Sequence, residues 1–148
     1  MSEMRTVAQR KAGVVEVLER QGHMWLATAH GDVPHVIAVS ALWTGDELVV
    51  TTVGSSRTGT NLSVGAAARL VAGTQDDAVV VLARVAESRP AADSPDLAAR
   101  WKEAMGWDPR DEGDGWWFYR LTPVRIQAFR GYGEIAGRDV MRDSRWLA

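Results

Sequence analysis

Arg57 is the one cation in a run of small hydrogen-bonding residues, Ser55, Ser56, Thr58, Thr60 and Asn61, that follows the apolar segment 48–53. A guanidinium fork beside hydroxyl donors has the equipment to hold a phosphate monoester. Gly54 and Gly59 punctuate the run, and glycine adopts backbone angles denied to other residues and lets main-chain N–H groups approach a ligand closely. The competing reading is a hydrophilic connector carrying a solvated arginine.

The other chemistry-bearing side chains give less. His30 and His35 flank a turn and His23 precedes the same segment, so imidazoles could meet there to bind zinc or exchange protons. No carboxylate or cysteine stands beside them at ligand spacing, so hairpin histidines are the simpler reading and no metal is expected. The serines lack a G-x-S-x-G elbow and a base partner. Neither G-x-G-x-x-G nor G-x-x-x-x-G-K-[ST] occurs, so the dinucleotide and P-loop fingerprints are missing. Without a proton-transfer constellation, an enzyme built from this chain needs a bound cofactor to carry its reaction.

The elements that must position these residues read mostly as strands. Residues 2–21 have helical spacing at Val7, Val14, Val17 and Leu18, with Gly22 as the stop. Segment 24–29, a turn at Gly31-Asp32-Val33-Pro34, and segment 35–44 form a hairpin. In 35–44 both faces are apolar, which predicts a strand buried on two sides or lying under a partner chain. Segment 48–53 completes a meander. A helical turn over 61–64 follows, then strands over 67–73 and 78–86. Ser94, Pro95 and Asp96 open a helix that stops at Gly106. A long strand over 116–129 carries Pro123, which suits a bulge or an edge. These six strands predict a mainly β (α+β) fold, a small antiparallel barrel or sandwich with helical covers.

Composition sets the bounds. A length of 148 residues fits one domain, and 46% hydrophobic with 24% charged residues is ordinary for a chain able to bury a core. A net charge of −2 lacks the basic footprint of a nucleic-acid binder. The chain has no cysteine, which excludes disulfides and thiolate metal sites and fits a reducing compartment. No apolar run approaches a membrane span and no signal sequence is visible, so a cytoplasmic location without membrane contact is the expectation. Seven Trp stand against two Phe and two Tyr, and tryptophan suits interfaces and planar ligands as well as plain core filling.

In this order, H-V-I-A-V-S-A-L-W, T-T-V-G-S-S-R-T-G-T-N-L, W-W-F-Y-R-L-T-P-V-R-I-Q-A-F-R and R-D-V-M-R-D-S-R-W-L resemble the pyridoxamine 5′-phosphate oxidase-like split-barrel flavin-binding proteins. The resemblance covers nearly the whole chain, and its most specific parts are S-S-R-x-x-x-N-L and T-P-V-R-I. It implies a six-stranded antiparallel split β-barrel with covering helices, assembled as a homodimer with flavin sites at the subunit interface. It also implies a flavin-dependent oxidoreductase that moves hydride to or from a small molecule.

Carried over by position, Arg57 would hold the flavin phosphate, and Ser56, Thr58 and Asn61 would complete the grip. Ile37, Ala38, Val39 and Ser40, with Val50, Thr51 and Thr52, would line the ring and ribityl chain. Trp116 or Trp146 of the second subunit would close the pocket. The cofactor implied is FMN, with an F-420-type deazaflavin as the alternative. The arginine-rich C-terminal pattern with which the true oxidase holds its substrate has no counterpart here, which argues against vitamin B6 oxidation. A non-catalytic flavin carrier and a haem-binding relative using His23, His30 or His35 are the rival readings.

Overall fold

The computed structural model describes residues 3–20 and 22–148. Its elements run α1 (Val7–Glu19), β1 (His23–His30), β2 (Val33–Ser40), β3 (Leu42–Trp43), β4 (Leu48–Val53), α2 (Arg57–Asn61), β5 (Ala67–Thr74), β6 (Asp77–Pro90), α3 (Pro95–Met105), β7 (Trp116–Phe129), β8 (Asp139–Arg142) and β9 (Arg145–Trp146). The strands form one antiparallel sheet in the order β2-β1-β5-β6-β7-β4-β3, with β8 on β7 and β9 on β8. The sheet curls until β2 approaches β4, making a half-barrel whose open side is spanned by α2.

Among the described residues nine strands replace the six expected. The segment 35–44 divides at Ala41 into β2 and β3, and the C-terminal tail contributes two short strands that alternation over a few residues does not reveal. Strand β6 runs on to Pro90 because a register shift after Val85 lets its second half pair with Tyr119, Phe118 and Trp117. Pro123 sits at the other irregularity of this ladder, where Leu82 pairs with Arg125 and Ala83 with Pro123.

Helix α1 begins at Val7 rather than residue 2, because Thr6 and Gln9 form a reciprocal capping box at 3.1 and 2.9 Å. It ends at Glu19 with Arg20 as its cap, ahead of Gly22. The expected ends at Ser2 and Gln21 lie outside the described residues. At α3, Pro95 takes the first helical position and Gly106 the left-handed C-cap, as the sequence implies. Ser94 does not cap it, since its hydroxyl donates to the Pro90 carbonyl at 3.1 Å.

Two apolar cores hold the fold. The larger fills the barrel with Leu26, Leu48, Val50, Leu70, Val81, Leu121 and Ile126, closed by Val14 and Leu18 of α1. The smaller lies on the other side of β7 and β4, where Trp101 of α3 packs on Phe118 and Val49. Trp107 and Trp116 extend it, edge to face at 5.8 and 5.7 Å. Core filling therefore accounts for Trp101, Trp107 and Trp116, and for Trp43 in the larger core.

Strand β2 is an edge, not a doubly buried strand. Its Val36 and Ala38 pair with Ala27 and Trp25 of β1 on the outer face, where Trp25 and Val36 are each 56% exposed. His35, Ile37 and Val39 alternate to the barrel side and are half-buried. No helix of the described residues is long and apolar enough to cross a membrane.

Candidate functional site

Strand β4 leaves the core at Thr52 and the chain turns into α2. The helix begins at Arg57, earlier than the turn expected over 61–64, because Ser56 serves as its N-cap. Ser56 Oγ accepts from the Gly59 N–H at 3.1 Å, donates to the Val53 carbonyl at 2.6 Å and lies 3.3 Å from Thr52 Oγ1. Its bonding capacity is spent within the loop.

Thr58 and Asn61 lie one turn apart on α2, so they share a face. That face meets the β1–β2 pair. Thr58 Oγ1 shares a hydrogen bond with His35 Nε2 at 3.1 Å, and Asn61 Nδ2 donates to Thr28 Oγ1 at 3.1 Å. Both α2 side chains are buried, and the other end of the Asn61 amide has no partner. Ser56, Thr58 and Asn61 thus lock the loop in place instead of reaching outward.

Arg57 is what that locked loop displays. It is exposed, and no carboxylate of the described residues pairs with it, a state it shares with Arg69 and Arg145, whereas Arg5, Arg20, Arg110 and Arg120 each have one; its place on the locked loop sets it apart. Ser55 and Thr60 are exposed on either side of it in sequence. An uncompensated guanidinium fits a phosphate dianion. The Arg57 guanidinium therefore suits a phosphate-bearing ligand.

Neither Gly54 nor Gly59 has a positive φ. Close approach is what requires them. A Cβ on Gly59 would lie 2.6 Å from the Val53 carbonyl oxygen and 2.8 Å from the Tyr119 hydroxyl, and one on Gly54 would lie 2.8 Å from Trp117 Cδ1.

The remaining expected residues divide. Thr52 stands on β4, which α2 contacts, and the inward-facing Ile37 and Val39 on β2, which approaches β4, with Ser40 half-buried at the end of β2. Ala38 faces outward beside Trp25. Val50 is 1% exposed and belongs to the barrel core. Thr51 turns its hydroxyl to the Trp117 carbonyl at 2.8 Å. Trp116 is engaged by Trp107 under α3. Trp146 lies at the far end of β4, in a cleft with Trp43 and Glu47, with the Lys11 ammonium 5.1 Å from its ring centre. Trp116 pairs with Val53 at the start of the Arg57 loop but packs its ring on Trp107.

Sequence reasoning missed Thr28, Trp117 and Tyr119. Thr28 and His35 pair directly across β1 and β2 because the turn takes only Gly31 and Asp32, with Val33 and Pro34 already in β2, where the sequence placed all four in the turn and His35 near His30. Among the described residues no group of three His, Cys, Asp or Glu side chains could hold a metal ion.

No protein-family model matches the chain, and no curated protein does. Solved structures do. An F420 reductase superposes with a TM-score of 0.59 at 23% identity, covering 75% of this chain and 93% of that one. The FAD-binding protein from Mycobacterium smegmatis gives 0.55 at 16%, over 80% and 96% of the two chains. HutZ, the haem storage protein from Vibrio cholerae, gives 0.62 at 13%, over 92% and 99%. At these identities the likeness is one of fold.

Proposed function

We propose that this pyridoxamine 5′-phosphate oxidase-like split barrel is a flavin-dependent oxidoreductase, binding FMN between two copies of the chain. The observation that carries the reading is Arg57, a cation without a carboxylate partner among the described residues, on a loop whose Ser56, Thr58 and Asn61 side chains are tied down. Ile37, Val39 and Thr52 would line the approach to the ring. When bound, the flavin supplies the hydride chemistry, which explains a chain with no acid–base constellation of its own. The outer face of β1 and β2, with Trp25, Val36 and Ala38, is the surface a second copy would cover. The cysteine-free composition suits a cytoplasmic setting.

Titration of the purified protein with FMN, and separately with an F-420-type deazaflavin, tests the reading through quenching of flavin or tryptophan fluorescence. Saturable binding of either supports it, and a flat response to both removes it. The likeness to an F420 reductase supports the deazaflavin as the alternative cofactor, and the titration decides between them. Anaerobic reduction of the bound flavin by a nicotinamide nucleotide or a reduced deazaflavin separates an enzyme from a carrier.

The likeness to a haem storage protein supports a second reading. His23 and His30 are exposed and could serve as axial ligands, whereas His35 Nε2 is engaged by Thr58. A Soret band on haem titration, lost on replacing one of these histidines, would favour it.

A further inference from the structure

Beside α2, on the flank turned to β6 and β7, lies a cleft of about 490 Å³ lined by Ser55, Thr60, Ser63, Ser88, Trp117 and Tyr119. Tyr119 is 3% exposed and packs in the barrel core, yet its hydroxyl has no hydrogen-bond partner among the described residues. The hydroxyl comes up against Gly59, where the absence of a Cβ leaves it room at the cleft. Phenylalanine would fill the same core space. Open only to the cleft, the hydroxyl is a donor that a ligand oxygen or nitrogen entering there would take in place of water. Burial raises the phenol's pKa, so the group stays a donor across the neutral range.

The rest of the lining defines what could accept that proton. No charged side chain faces the cleft, so an entering carboxylate or phosphate would shed water without gaining a counter-charge. Arg57 is not among the lining residues. Trp117 offers a flat apolar wall, held against the backbone of Gly54, and Leu62 adds to it. The hydroxyls of Ser55, Thr60, Ser63 and Ser88 supply donors and acceptors around the rim. A planar ring stacks on indole, and its polar edge finds hydroxyls.

The geometry points to a second small-molecule site on this chain, distinct from the Arg57 cation, that takes an uncharged planar ring compound with its carbonyl or amide oxygen accepting from Tyr119. Nicotinamide and nicotinate make a matched pair of probes, alike in ring and size and differing in charge at the group meant for Tyr119. Two-dimensional NMR on the flavin-free protein should show the Trp117 indole N–H shifting saturably with nicotinamide at up to about 10 mM, a range set by the binding energy such a small ligand can gather. Nicotinate should leave it in place. Tyr119→Phe should weaken nicotinamide about 3- to 10-fold without loss of folding, since the hydroxyl has no partner to lose. Thr60→Val, at an exposed position, provides a second variant with weakened binding. Equal shifts from both probes, no shift with nicotinamide, or unchanged affinity in Tyr119→Phe would overturn the assignment. Because the titration uses no flavin, its failure leaves the cofactor reading standing, and failed flavin binding leaves this site standing.

Discussion

Thr28 and His35 face each other across the β1–β2 pair, and each hydrogen-bonds one residue of α2, Asn61 and Thr58 respectively. One rung of the sheet thus meets one turn of helix at two points. The loop that displays Arg57 is fixed to a strand pair instead of hanging from β4 alone. Removing a hydroxyl by Thr58→Val should cost about 0.5–1.5 kcal/mol of stability, the net worth of one such bond. Asn61→Leu should cost more, about 1–3 kcal/mol, because it leaves the buried Thr28 hydroxyl without its partner. Urea denaturation measures both. Near-zero changes in both variants would show that α2 is not held this way.

Arg57→Ala should leave that stability within about 0.5 kcal/mol, since the side chain is exposed and has no carboxylate partner. Cofactor affinity should fall by about 1.5–3 kcal/mol, the range for a hydrogen bond to a charged group. Flavin titration of the variant beside the parent gives the comparison. An unchanged dissociation constant would remove the phosphate assignment.

Gly59→Ala attacks the same loop from within. The new methyl meets the Val53 and Gly54 carbonyl oxygens at 2.6 and 2.7 Å, and backbone cannot swing aside as a long side chain can. A loss of about 1–3 kcal/mol is expected, with weakened flavin binding because α2 must shift. Gly65→Ala sits in open space at a φ of +90°. Any loss there reports backbone strain and should spare flavin binding. Equal effects of the two on flavin affinity would deny Gly59 its place at the site.

The carboxylate of Glu134 is held at about 2, against an ordinary 4.5, chiefly by the Arg5 guanidinium bonded to it at 2.7 Å, with the Arg5 and Arg130 N–H groups adding to the effect and burial opposing it. A folded-state value below the unfolded one stabilises the fold above pH 4.5, and that stability is lost as the pH falls from 4.5 towards 2. At about 1.36 kcal/mol per unit the difference is on the order of 3 kcal/mol. Glu134→Gln should flatten the acid limb of a stability–pH curve while lowering stability at pH 7. An acid limb unchanged in the variant would place the proton uptake elsewhere.

Much of this was legible in the sequence because strand alternation is a local signal. Segment 48–53 emerged with its bounds intact, and Arg57 stands exposed on the loop that its spacing marked. What was not legible depends on pairing. Val50 alternates as a site residue could, yet faces the barrel because Tyr119 and Leu121 of β7 lie beside it. Trp116 reads as an interface residue until α3 folds Trp107 onto it. Ser56 looked like a ligand donor, but capping α2 is the nearer use for its oxygen. The two-residue strands β3 and β9 hold only through their neighbours.

Trp25 is the tryptophan that core packing leaves unexplained. It is 56% exposed on an outer face shared with Ala27, Val36 and Ala38, next to an unpaired edge strand. An apolar sheet face of this kind is unfavourable in water and invites a partner. If a second copy of the chain covers it, Trp25→Arg should convert a dimer to a monomer in sedimentation velocity, since it places a charge in the centre of the contact. The variant should stay folded, because nothing in the barrel core touches that face. If the cofactor is gripped by both copies, the monomer should also lose flavin while keeping Arg57 and its loop intact. A parent protein that sediments as a monomer would end the two-copy reading. A monomeric variant that still binds flavin with parental affinity would confine the site to a single chain.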